Sequence, residues 1–270
     1  MTTDMKQMLI VPRFVLNSGD EMPLIGMGTA PAEPTLPPKD QLISIFVDAI
    51  KAGYRHFDAA AAYGSEEALG GAVAEALQHG LIRSREEVFI TSKLWCTDTH
   101  PDLVLPALKN TLAELGMDYM DLYLIHWPAR MKKNDSEEEI NMVVKDVLPF
   151  DMKGTWEAME ECYKLGLAKS IGVCNFSCTK LSQLLHHATI PPAVNQVALR
   201  WVYEQGVSVL VKSFNKDRMK ENLQILDWEL SNEEIARIQE IPQCRGFKAE
   251  VFVHPDGPYK SIEEFWDGEL

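Results

Sequence analysis

Residues 53–66 read GYRHFDAAAAYGSE: a glycine turn, a short run closed by Asp58, four alanines, and Tyr63 just ahead of a helix start. This is the pattern of a βα unit, with a strand over 56–58, a loop, and a helix over 65–78. In that helix Leu69, Ala72, Val73, Ala76 and Leu77 share one stripe, Ser65 caps, Glu66 and Glu67 suit the N-terminal dipole, and Gly80 stops the element. Working outward, similar mostly apolar runs lie at 24–28, 88–92, 122–125, 169–173, 193–197 and 208–211, as expected of parallel strands buried on both faces. Helical periodicity fills the intervals at 40–52, 102–115, 152–165, 178–188 and 216–226. Such alternation predicts one α/β domain over 1–270, a parallel sheet wrapped in helices.

A closed (β/α)8 barrel of the TIM type needs eight strands, and about 250 residues is its usual length. Only seven runs are present, and the irregularity sits in one place. PPAVNQV (191–197) passes directly into ALRWVYEQG (198–206), although a βα connection needs a loop of about 2–6 residues. The expectation is a TIM-barrel domain lacking one helix and one strand between Val197 and Ala198, a segment on the order of 30 residues or more. Joining VNQVALRWVYEQG into one helix would leave still fewer strands.

Composition limits the partners. The 46% hydrophobic and 24% charged fractions are those of a globular chain, and a net charge of −14 repels phosphate backbones and anionic lipid. No stretch reads as a leader or a membrane span, so a cytoplasmic protein with no nucleic-acid or membrane partner is expected. Five cysteines at irregular spacing read as reduced thiols. Cys174 and Cys178 with His186 and His187 match no common zinc pattern, and no metal is expected. GMGTAP (26–31) lacks the third glycine of a dinucleotide fingerprint, so Gly26 and Gly28 read as close-packed strand residues.

The chemistry gathers at successive strand ends. Asp58 closes one strand and Tyr63 follows on its loop, Lys93 ends the next strand in FITSKLW, and His126 ends the one after in DLYLIHWP. All four reach the carboxyl rim, where barrel active sites lie. A phenol is a poor proton donor at neutral pH unless a cation lowers its pKa. Lys93 can supply the cation, Asp58 can hold the lysine, and His126 can orient a substrate carbonyl. Each residue also has a plain structural reading: a rim ion pair, a loop aromatic, a core histidine. Near the last strand Lys212, Ser213, Phe214, Asn215, Arg218 and Asn222 could receive a phosphate or form a solvated cationic turn. Trp95 and Trp127 could wall a substrate pocket, with Phe252 and Trp266 on a tail folding over it, or simply pack in the core. The acidic run NDSEEE (134–139) reads as a solvated loop.

The segments GYRHFDAAAAYGSEEALGGAV, VFITSKLW, MDLYLIHWP, KSIGVCNFS, PPAVNQV and VLVKSFNKDRMKENLQI resemble the successive motifs of the aldo-keto reductases. The wording is similar to plant reductases of the codeinone reductase, chalcone reductase and deoxymugineic acid synthase group. This resemblance implies a monomeric oxidoreductase of plant secondary metabolism that reduces a small-molecule aldehyde or ketone with NADPH. It implies Tyr63 as proton donor, with Lys93, Asp58 and His126 as its partners. Thr29, Asp58, Asn175, Gln196, Lys212, Ser213, Phe214, Asn215, Arg218 and Asn222 would contact the cofactor, and Trp95, His126 and Trp127 the substrate. Ala59 stands where many relatives carry threonine. Relatives carry part of the cofactor clamp in the segment absent here, so a shortened, impaired or non-catalytic binding form of the scaffold is the alternative. A lyase using Lys93 as a Schiff-base nucleophile is a further alternative.

Overall fold

Six of the seven predicted runs form one parallel sheet in the computed structural model, which describes residues 11–31, 36–133, 146–193, 209–211, 214–223 and 248–269. The strands are β3 (Ile25–Gly28), β4 (His56–Asp58), β5 (Phe89–Leu94), β6 (Met120–Ile125), β9 (Ala168–Val173) and β10 (Val209–Val211). Two short hairpins, β1 (Arg13–Val15) with β2 (Glu21–Pro23) and β7 (Arg130–Met131) with β8 (Val147–Leu148), were not foreseen. The sheet order is β10-β3-β4-β5-β6-β9. From β3 to β9 consecutive strands of the sheet are neighbours, and the last strand, β10, returns to pair with the first, β3, as closure of a barrel requires. Beyond β9, the Ala193 N–H bonds the Ile171 carbonyl at 2.8 Å, where the remaining predicted run, 193–197, begins. The rest of that run and the Val197–Ala198 junction lie outside the described residues, as do residues 134–139.

The helices are α1 (Lys39–Ala52), α2 (Glu66–Gln78), α3 (Val104–Leu115), α4 (Met152–Lys164), α5 (Cys178–Leu185) and α6 (Lys216–Leu223). Strand alternation divides the core into two layers. Phe57, Ile90, Leu94, Tyr123 and Ile125 face outward and pack with Phe46, Leu69, Val73, Leu108 and Trp156 of the helices. Phe89, Leu122 and Leu124 face the other way and meet Leu16 and Met22 from the first hairpin, which plugs that end. Polar side chains on the inward face are therefore stacked above an apolar floor. His56 bonds Thr91 Oγ1 at 3.0 Å there, directly below Asp58 and Lys93 along their strands.

Two expectations for α2 fail. Ser65 has a helical backbone and makes no capping bond; its hydroxyl meets Thr29 Oγ1 at 2.7 Å instead, so a tertiary partner outcompetes the cap. Leu77, expected in the apolar stripe, is exposed, while Ala76 beside it in the same turn is fully buried. Gly80 does stop the chain in the left-handed region at φ 66°. Gly26 is close-packed as expected: a Cβ there would meet Leu210 Cδ2 at 2.4 Å and His56 Nδ1 at 2.7 Å.

Candidate active site

Parallel register brings the four predicted residues to one rim. Asp58 pairs with Thr91 and Lys93 with Leu124, while past the strand ends the His126 N–H bonds Leu94 O at 3.1 Å. Tyr63 ends the 3-10 turn Ala61–Tyr63, and Gly64 at φ 65° turns the chain into α2. Asp58, Lys93 and His126 are all buried.

Lys93 is the centre of the group. Its Nζ donates to Asp58 Oδ1 at 2.5 Å, to the Ala59 carbonyl at 2.9 Å and to the Tyr63 hydroxyl oxygen at 3.4 Å. An ammonium has three N–H groups and no acceptor, so all three are committed, and the phenol proton must point elsewhere. His126 Nε2 lies 3.5 Å from the phenol oxygen, and the histidine tautomer decides which of the two donates. Burial acts to depress the Lys93 pKa, but Asp58, Tyr63 and Cys174 together outweigh it and the net movement is upward. A charged lysine with every N–H engaged is a poor Schiff-base nucleophile, which argues against the lyase alternative.

The sequence suggested that Lys93 would bring the Tyr63 pKa down. Burial wins: it pushes the phenol above its ordinary value, with the Lys93 charge as the opposing influence. Burial likewise drives His126 down to about 3, helped by Lys93, and His56 down to about 4. Both imidazoles are neutral at working pH, so His126 can donate one N–H to a carbonyl without carrying charge.

The pH consequence has a definite sign. An unfolded histidine takes up a proton near pH 6.5 while these two folded ones do not, so their contribution to stability is complete above that pH. It is lost as pH falls toward their folded values, at up to about 1.4 kcal/mol per pH unit for each residue. Imidazole resonances of His56 and His126 in an NMR titration should stay fixed from pH 8 to about 5.5. A midpoint near 6.5 for either would overturn the assignment.

Around the rim, the Trp95 and Tyr63 rings lie edge-on to His126 at 5.2 and 5.5 Å, and Trp127 is stacked with it at 6.2 Å. The C-terminal segment does fold over this wall, with Phe252 5.5 Å and Trp266 6.2 Å from Trp127. That tail is tied down at α5. Lys180 Nζ donates to Phe265 O and Asp267 Oδ2, and Glu269 accepts from the Cys178 and Thr179 N–H groups. Those bonds hold the Glu269 carboxyl well below the usual carboxylate range.

The sequence model of the Aldo/keto reductase family matches residues 24–198 and 193–243. The chain belongs to the aldo/keto reductase family. It is 48% identical to Rhazimal reductase 2 of Alstonia scholaris over 326 aligned positions, covering 98% of this chain and 100% of that protein. It is 46% identical to NADPH-dependent codeinone reductase 1-3 of Papaver somniferum, over 95% of this chain and 98% of the relative. Among solved structures, an aldo-keto reductase of Bombyx mori in complex with NADP aligns with a TM-score of 0.75 at 30% identity, over 85% of this chain and 92% of the other. The aldose reductase of Schistosoma japonicum aligns with a TM-score of 0.80 at 28% identity, over 89% and 96%. The two family matches overlap at 193–198, and the alignment with the Alstonia protein is longer than the 270 residues of this chain.

The ten cofactor positions implied by the aldo-keto reductase resemblance divide into three groups. Asp58, Thr29 and Asn175 are at the rim. Thr29 is fully buried, with its hydroxyl committed to the Asp58 carbonyl and to Ser65, so it holds the rim together. Asn175, at φ 60°, donates its amide to the His126 carbonyl at 2.8 Å, which leaves its oxygen to accept from a ligand. Phe214, Asn215 and Asn222 lie around α6. Phe214 packs edge-on to Phe46 at 6.4 Å, Asn215 accepts from the Asp217 N–H at the helix start, and Asn222 bonds the Tyr54 hydroxyl. Gln196, Lys212 and Ser213, and the side chain of Arg218, lie outside the described residues.

Among the described residues, three buried polar atoms beside the rim lack a partner: Asp58 Oδ2, Trp95 Nε1 and His126 Nδ1. Native proteins leave few such atoms, and they concentrate where ligands bind. The sequence reading weighed Cys174 only as a metal ligand and passed over Ser92. Cys174 accepts from the Asn175 amide at 3.2 Å, and Ser92 stands on the opposite face of β5 from Lys93.

Proposed function

We propose that the protein reduces an aldehyde or ketone to the alcohol with NADPH, Tyr63 giving the proton. The observation that carries this is the Lys93 ammonium, fixed by Asp58 and Ala59 with its remaining N–H on the Tyr63 oxygen. Bound NADPH supplies the hydride that the carbonyl carbon takes up. His126 Nε2 donates to the carbonyl oxygen and holds it beside the phenol. The phenol proton then passes to that oxygen as the C=O becomes CH–OH. The tyrosinate left behind is stabilised by Lys93 until solvent returns the proton, and the buried site strengthens that interaction. Trp95, Trp127 and the tail residues Phe252 and Trp266 exclude water from the step.

The residues at the rim fit such a cofactor. The free oxygen of Asn175 can accept from a carboxamide, and Gln196 is its companion by family resemblance. Lys212, Ser213, Phe214, Asn215, Arg218 and Asn222 would hold the adenosine phosphate end. The protein acts as a single-domain, cytoplasmic monomer of plant secondary metabolism, consistent with its composition and plant relatives.

The chain is also a shortened form that lacks one βα unit between Val197 and Ala198. The split family match and the overlong alignment support this. Because part of the cofactor clamp falls in that segment, NADPH affinity rather than proton transfer is the weakened step. NADPH titration by protein fluorescence, with turnover of a panel of aldehydes and ketones, tests both parts. Tight binding with normal turnover would remove the shortening from the account, and tight binding without any carbonyl reduction would remove the activity.

A further inference from the structure

We propose that Glu66 is a positioning residue that sets the Tyr63 hydroxyl against the Lys93 ammonium, an inference that rests on the proposed reductase chemistry. Glu66 opens α2 three residues after Tyr63 and is 2% exposed. A first-turn acid normally lies in solvent, where it complements the helix dipole; Glu67 beside it does so. Glu66 instead turns inward. Its Oε1 accepts the Ser92 hydroxyl at 2.5 Å, and its Oε2 accepts the Thr111 hydroxyl of α3 at 3.3 Å.

Ser92 is the residue before Lys93 on β5. Alternation sends Lys93 to the rim and Ser92 to the helix side, so Glu66 grips the same strand from behind. Between Glu66 and Tyr63 the chain has no slack. The Tyr63 N–H bonds the Ala60 carbonyl at 2.9 Å, Gly64 is left-handed, and Ser65 is tied to Thr29. The Tyr63 loop therefore has two anchors. Ser65 fixes it to the strands that carry Thr29 and Asp58, and Glu66 fixes it to the strand that carries Lys93. With the phenol and ammonium already 3.4 Å apart, a small slide of α2 along β5 would break their contact.

The packing of α2 on α3 makes this anchor rigid. Gly70, one turn beyond Glu66, approaches so closely that a Cβ would meet the Leu115 carbonyl oxygen at 2.3 Å. That approach brings Thr111 and Glu114 of α3 against Glu66, with the buried phenol of Tyr123 on β6 also within its field. Among the described residues no ion pair reaches Glu66. Burial, with Glu114 adding to it and the Ser92 bond opposing it, raises this carboxyl to about 7. A buried acid without a cation is costly to keep for stability alone, because its contribution is lost as pH rises from about 4.5 through 7.

The test needs neither cofactor nor turnover. Tyrosines are replaced by 3-fluorotyrosine, and the Tyr63 resonance, identified by its loss in Tyr63→Phe, is titrated by 19F NMR. Glu66→Gln keeps an acceptor for Ser92, and the Tyr63 midpoint should stay within about 0.3 of a unit of its original value. Glu66→Ala, folded by circular dichroism, should raise that midpoint by about one unit as Lys93 loses contact. It should also lower kcat between about ten- and a hundredfold with KM unchanged, while Glu66→Gln recovers most of the rate. If Glu66→Ala does not fold, Ser92→Ala removes the other half of the anchor and is read the same way. A folded Glu66→Ala or Ser92→Ala with an unmoved Tyr63 midpoint overturns the proposal. So does a Glu66→Gln as perturbed as the alanine variant. Absence of turnover in the unmodified protein would count against the reductase reading alone, since the titration stands without it.

Discussion

Tyr63→Phe is expected to lower carbonyl reduction by about 10²- to 10⁴-fold, the usual contribution of a positioned general acid, while leaving NADPH affinity and thermal stability nearly unchanged. The phenol oxygen makes only long contacts, 3.4 Å to Lys93 and 3.5 Å to His126, so little folding energy resides in it. Phenylalanine keeps the ring that lies edge-on to His126. Lys93 retains its two shorter bonds, to Asp58 and Ala59. Because burial raises the Tyr63 pKa, the proton remains on the oxygen throughout the neutral range, and the wild-type rate should fall only on the alkaline side. Steady-state kinetics with a denaturation scan of each variant checks this. A Tyr63→Phe that still turns over at the wild-type rate would mean the proton comes from another group.

The rim was legible in the sequence because parallel strands buried on both faces make short apolar runs, and Asp58, Lys93 and His126 stand at the ends of three of them. Their convergence follows from βα geometry alone. Ser65 misled because a hydroxyl before a helix looks like a cap wherever its tertiary partner is unknown, and here the partner is Thr29, 36 positions away. Leu77 misled for a related reason: periodicity assigns a face to a residue but does not say how much of that face its neighbours cover. The sign of the Tyr63 shift was out of reach, since spacing reveals the cation but not the depth of burial that outweighs it. Glu66 carried the most ordinary signal of all, an acid in a first helical turn, and only the third dimension separates it from Glu67. The hairpins β1–β2 and β7–β8 have too few residues to show a period.

Lys93→Met is expected to abolish reduction and also to destabilise the fold by about 3–5 kcal/mol, the usual penalty for orphaning one member of a buried ion pair. The Asp58 side chain is 7% exposed, and Oδ1 would join Oδ2 in having no partner among the described residues. The Ala59 carbonyl would lose its donor as well. Burial already raises the Asp58 pKa against the opposing Lys93 charge, and with no cation beside it the folded pKa in the variant rises further above its unfolded one. The variant is then least impaired at low pH, and its deficit grows as pH rises through that raised value. Urea titrations at pH 5 and pH 8 should show the larger gap from wild type at pH 8. Adding Asp58→Asn to Lys93→Met removes the stranded charge and should restore most of the stability at pH 8 without restoring any activity. Full stability of Lys93→Met at pH 8 would show that Asp58 is not held as a buried carboxylate. Recovery of the fold without the chemistry in the double variant would mean that the ion pair is dispensable to the barrel when both charges leave together. Lys93 is then retained at this rim for the contact it makes with Tyr63.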